Sequence, residues 1–104
     1  MRININLNMP FKNLNGTDTN FIIADMLANL LGGACQGNVL KFYTMASYLY
    51  KNKTLTIDEA DFQQLYNFIE NYTPKYATEM PINNFQKGQM LTILNNEKIK
   101  EQKM

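Results

Sequence analysis

The 104-residue sequence contains no histidine and no tryptophan, and it has only one cysteine and one arginine. The missing histidine removes the commonest general base and the commonest metal ligand, and with them the only side chain that ordinarily titrates near neutrality. A lone Cys35 excludes an internal disulfide and a cysteine-built zinc cluster. Arg2 is the single arginine, so the planar fork that grips phosphates and guanine edges is scarce. Ten basic against nine acidic side chains leave a net charge of +1, which gives no electrostatic reason to seek nucleic acid or an anionic membrane. No segment reaches the roughly 18 apolar residues that span a bilayer. The longest apolar stretch, Phe21 to Leu31, is broken by Asp25 and Asn29. The N-terminus alternates apolar residues with Asn and so does not read as a secretion signal. These absences predict a cytoplasmic, non-enzymatic chain with no cofactor, no metal and no membrane segment.

What is present suits a folded domain. The chain is 45% hydrophobic and 12% aromatic, and a chain of this length buries roughly 65% of its unfolded surface, enough for one modest core. Ile3, Ile5, Leu7 and Met9 alternate with Asn4, Asn6 and Asn8, the period-2 signature of a strand with one buried face, ending at Pro10. Asn13-Leu14-Asn15-Gly16 supplies turn chemistry. Thr17-Asp18-Thr19 then offers caps for a first helix. Phe21, Ile22, Ile23, Met26, Leu27, Leu30 and Leu31 cover most of its circumference, leaving only Asp25 and Asn29 as a polar stripe until Gly32-Gly33 stops it.

Asn38 is placed to cap a second helix running to about Lys51, with Val39, Phe42, Ala46, Leu49 and Tyr50 as its apolar stripe and Tyr48 facing out. Thr54-Leu55-Thr56-Ile57 alternates briefly. Asp58 opens a third helix carrying Phe62, Leu65, Ile69 and Tyr72, ended by Thr73-Pro74. After a connector bounded by Pro74 and Pro81, a fourth helix begins near Asn83 or Asn84 and carries Phe85, Met90, Leu91, Ile93 and Leu94. The predicted fold is therefore α+β and predominantly helical, with an N-terminal strand and possible short two-stranded pairing followed by four helices. It forms one domain over residues 1–104: strand and turn at 1–16, helical body at 17–94, and a charged, frayed tail at 95–104. The strand must pair with Thr54–Ile57, with another copy across a two-fold axis, or with a different protein.

Each motif with catalytic or ligand-binding overtones has a simpler explanation. Ala34-Cys35-Gln36-Gly37 matches the end of a caspase-type nucleophile pattern, but Gly33 stands where glutamine is required and no histidine exists to activate the thiol. Asp58, Glu59 and Asp61 open a helix, where they complement its dipole. They lack the loop spacing of a calcium site. Gly32-Gly33 and Gly37 lack the Gly-Lys-Ser/Thr tail of a phosphate loop. Asp25, alone on a nearly all-apolar helix, is a candidate polar contact within an interface. The six tyrosines crowd the middle of the chain, and exposed aromatics beside methionines suit protein-binding surfaces.

The order Ile3-Asn4-Ile5-Asn6-Leu7, Phe11-Lys12-Asn13-Leu14-Asn15-Gly16, an apolar helix, Leu55-Thr56-Ile57-Asp58 leading into Asp61-Phe62, and Lys87-Gly88-Gln89-Met90-Leu91 resembles a group of small proteins encoded by bacteriophages and prophages. The resemblance spans residues 2 to 94. It implies a phage origin, and hence the host cytoplasm, and carries no functional residues with it. Together these features predict a protein-interaction module acting in virion assembly or on a host protein, as a homo-oligomer or with a protein partner. Its candidate interface residues are Ile3, Ile5, Leu7, Ile23, Asp25, Met26, Leu30 and Tyr48. The alternative is a small nucleic-acid or nucleotide-binding regulator or sequestering protein, with Lys87, Lys98 and Lys100 near phosphate.

Overall fold

A computed structural model describes residues 2–33, 38–74 and 81–102. It has an α+β architecture dominated by four helices, with two small antiparallel sheets. In chain order the elements are β1 (Arg2–Asn6), β2 (Pro10–Lys12), β3 (Asp18–Ile22), α1 (Ile23–Gly33), α2 (Val39–Asn52), β4 (Thr54–Asp58), α3 (Glu59–Asn71) and α4 (Asn84–Gln102). Cys35 and Tyr76 lie outside the described residues, as does most of the connector between Pro74 and Pro81.

The alternation at the N-terminus sets the first sheet. β1 pairs antiparallel with β4 in the register Ile3 to Ile57 and Ile5 to Leu55, so both strands turn their aliphatic side chains to the same face. Ile3, Ile5 and Leu7 are fully buried there with Leu55 and Ile57, while the Asn and Thr residues between them face solvent. The strand therefore finds its partner inside the chain.

The second sheet departs from the sequence expectation. Pro10 does not end the strand region, and Thr17-Asp18-Thr19 does not cap a helix. Pro10–Lys12 and Asp18–Ile22 form a hairpin closed by Asn13 N–H to the Thr17 carbonyl (2.7 Å) and Gly16 N–H to the Asn13 carbonyl (2.9 Å). Gly16 takes a left-handed φ of 88°, open to glycine at little cost. The first helix instead begins at Ile23, because the carbonyls of Met9 and Leu7 accept from Ile23 N–H (2.9 Å) and Ala24 N–H (3.0 Å). Backbone groups of the segment after β1 satisfy helix donors that a side-chain cap would otherwise serve.

The remaining helices start where local chemistry places them. Asn38 Oδ1 accepts from Lys41 N–H (3.1 Å), and Asp58 Oδ1 accepts from Asp61 N–H (2.8 Å). Asn83 and Gln86 exchange side-chain and backbone bonds (2.8 and 3.2 Å) in a reciprocal cap at the head of α4. That helix continues to Gln102, so residues 95–102 of the tail expected to fray are helical. Lys100 and Glu97 pair within it, three residues apart.

The buried residues form one continuous cluster drawn from both sheets and all four helices. α1 packs along α2, and α4 lies against β1 and α3. Phe42, Phe68 and Tyr72 form a chain of ring contacts at 4.8 and 5.6 Å between centroids. Gln89 clamps the hairpin to α4 by accepting from Lys12 N–H (2.8 Å) and donating to the Lys12 carbonyl (3.1 Å).

Candidate functional site

Most residues singled out in the sequence as interface candidates serve the chain's own core. Ile3, Ile5, Leu7, Ile23 and Leu30 are fully buried and present nothing to a partner. The reason is tertiary: β4 closes on β1, and α1 is covered by α2 on one side and by the segment after β1 at its start. Met26 is half-buried against the same core. Asp25 is ion-paired with Lys53. Of the eight, only Tyr48 stands out from the surface, 48% exposed.

Lys53 organises this corner. It closes α2 in the left-handed conformation (φ 63°), donating its N–H to the Leu49 carbonyl (2.8 Å), while its own carbonyl accepts from Leu7 N–H (3.0 Å). Its ammonium reaches Asp25 on α1 and lies 4.8 Å from the centroid of the Tyr50 ring. One residue thus joins the end of α2 to α1 and β1.

The outward face of α2 is the surface that the sequence assigned in part to the core. Val39 and Tyr50, placed in the apolar stripe by spacing, are exposed, because the stripe that meets α1 and the core is the narrower set Phe42, Met45, Ala46 and Leu49. Leu40 (78% exposed), Tyr43 (67%) and Tyr50 (62%) recur with Ser47 at intervals of three and four, which aligns them along one side of the helix. The helix carries two cations, Lys41 and Lys51, and no acidic residue.

Two clefts flank this face. One, of about 780 Å³ between α1 and α2, has Tyr43, Ser47, Tyr50 and Lys51 along its edge. The other, of about 650 Å³, lies between α2 and β4. Met45, Leu55 and Ile57 contribute apolar surface to it, and Lys41 pairs with Asp61 at one end.

The lysines considered for phosphate contact have partners within the chain. Lys87 donates to the Tyr72 carbonyl (2.7 Å) just past the end of α3, where a cation complements the helix dipole. Lys98 lies 3.7 Å from Glu59 and over the Phe62 ring, and Lys100 pairs with Glu97. Among the described residues, no group of three or more His, Cys, Asp or Glu side chains is placed to hold a metal ion. Among them too, no helix is long and apolar enough to cross a membrane.

No protein family, curated protein or solved structure matches the chain.

Proposed function

We propose that the protein is a non-enzymatic protein-interaction module whose docking surface is the outward face of α2. The observation that carries this reading is the exposure of Leu40, Tyr43 and Tyr50 along one side of a helix whose opposite side is anchored in the core. Tyrosine supplies large contact area at low entropic cost and is enriched in interface centres. An anchored helix presents such groups already ordered. In a phage setting the partner is a virion component or a host protein.

The partner is a different protein and not a second copy. The strand and the apolar helix that called for an oligomer are satisfied within the chain.

Site-specific photocrosslinking in the native cell tests the reading. A benzophenone side chain at position 43 or 50 is expected to capture the same protein, and one at the exposed Asn96 of α4 is expected to capture none. Tyr43→Lys combined with Tyr50→Lys should abolish capture by a crosslinker at position 47 while leaving the thermal midpoint within a few degrees. Equal capture from all positions, or none from α2, overturns it.

A further inference from the structure

The cleft between α2 and β4 runs along an unpaired edge of a sheet. The first sheet has two strands, so among the described residues β4 has β1 on one side and no strand on the other. Leu7 N–H donates to the Lys53 carbonyl, and the pairing continues through Ile5 with Leu55 and Ile3 with Ile57. Hydrogen-bonded pairs alternate in an antiparallel ladder. The backbone N–H and C=O groups of Thr54 and Thr56 therefore point away from β1, and Thr56 lines the cleft.

We infer that this cleft binds an extended, acidic peptide segment of a partner protein by adding it as a third strand beside β4. Four observations support this occupant. The edge offers two residues, Thr54 and Thr56, each able to exchange a pair of backbone hydrogen bonds with an incoming strand. At about 3.3 Å per residue, the five residues of β4 give a run of about 17 Å, room for four or five extended residues. The opposite wall is α2, with Leu40, Thr44 and Tyr48 facing the edge across apolar surface from Met45 and Leu55.

The fourth observation is charge. Arg2 lines the cleft, and among the described residues it forms no ion pair. Its Nη2 donates to the Thr56 carbonyl at 3.1 Å, covering one of the edge acceptors. The only other charges in the cleft are Lys41 and Asp61, which neutralise each other. In the free chain Arg2 guards the edge against non-specific pairing, a common use of charged side chains at sheet edges. An incoming strand replaces it with a backbone N–H on the Thr56 carbonyl, and the released guanidinium meets a carboxylate on that strand. A basic segment would leave two cations together.

This inference rests on reading the chain as a protein-interaction module, but it uses Arg2 and Thr56 in place of Tyr43 and Tyr50, so the two fail separately. The test is selection from a displayed library of random octapeptides against the full chain, followed by synthesis of the enriched peptide. We expect enrichment of Asp or Glu at one position. The synthetic peptide should shift the amide resonances of Leu55, Thr56 and Ile57 and the Nε resonance of Arg2. N-methylation should weaken binding about tenfold at alternate residues only, those opposite Thr54 and Thr56. Arg2→Gln should reduce the preference for the acidic peptide over its Asn or Gln counterpart about three- to fivefold, the size of one exposed ion pair. Tyr43→Lys with Tyr50→Lys should leave the peptide affinity unchanged. The inference is overturned if no peptide is enriched, if lysine is tolerated at the acidic position, or if N-methylation has no alternating effect. Shifts confined to Tyr43, Ser47 and Tyr50 would also overturn it while supporting the α2 surface.

Discussion

Lys53 shows how much a single side chain and its backbone can hold. A residue with a Cβ in the left-handed region costs about 1–2 kcal/mol, and here that cost is offset by contacts to Asp25, Tyr50, Leu49 and Leu7. Lys53→Ala keeps the strained backbone and loses the side-chain contacts. Lys53→Gly loses the same contacts but relieves the backbone. Chemical denaturation should therefore find the glycine variant more stable than the alanine variant by about 1 kcal/mol; the reverse order would mean that the αL strain is not significant there. Core positions carry larger effects. Leu7 is fully buried between β1 and the start of α1, and Leu7→Ala should cost about 3 kcal/mol by the same measurement. The alternation of Ile3, Ile5 and Leu7 was legible in the sequence as one apolar face. That the face belongs to the core and not to a partner was not, since alternation specifies a face and says nothing of what covers it. The Asp25–Lys53 pair was equally hidden, because the two residues lie on different elements 28 positions apart.

Among the elements, those read correctly have their signals within a few residues. Asn38 and Asp58 cap α2 and α3 as their spacing from the apolar positions implied. Replacing either with alanine should lower stability by about 1 kcal/mol, visible as a drop in thermal midpoint. Gly88 offers the opposite test. It lies inside α4, and a Cβ built there meets nothing within 4 Å, so Gly88→Ala should stabilise by about 0.5–1 kcal/mol. A loss of stability would show that the position needs a glycine. The hairpin was missed for a physical reason: β3 shows no alternating burial, and Phe21 within it is exposed. Its Asp and Thr residues also mimic a helix cap. Only the carbonyls of Leu7 and Met9 move the start of α1 to Ile23. On α2, helical spacing permitted a wide apolar stripe, and the packing of α1 selected the narrower part of it.

For the whole molecule, α4 is the element whose removal matters most for its length. Its helical periodicity is weak, yet Met90 and Leu94 are fully buried, closing the core over β1 and α3. Lys87 and Gln89 tie the same helix to the end of α3 and to the hairpin. A chain ending at Asn83 should therefore lose cooperative unfolding, and a flat circular-dichroism melt would show it. A retained sharp transition would mean that the rest of the core stands alone. By itself the sequence determined the chemistry that is missing, the positions of three helix starts, and the apolar faces of β1, β4 and α3, because caps and periodicity act over a few residues. The tertiary structure decided which faces are covered: β1 by its pairing with β4, α1 by α2, and the outer side of α2 by nothing within the described chain. Coverage depends on contacts between residues far apart in sequence, and those form only when the elements pack together.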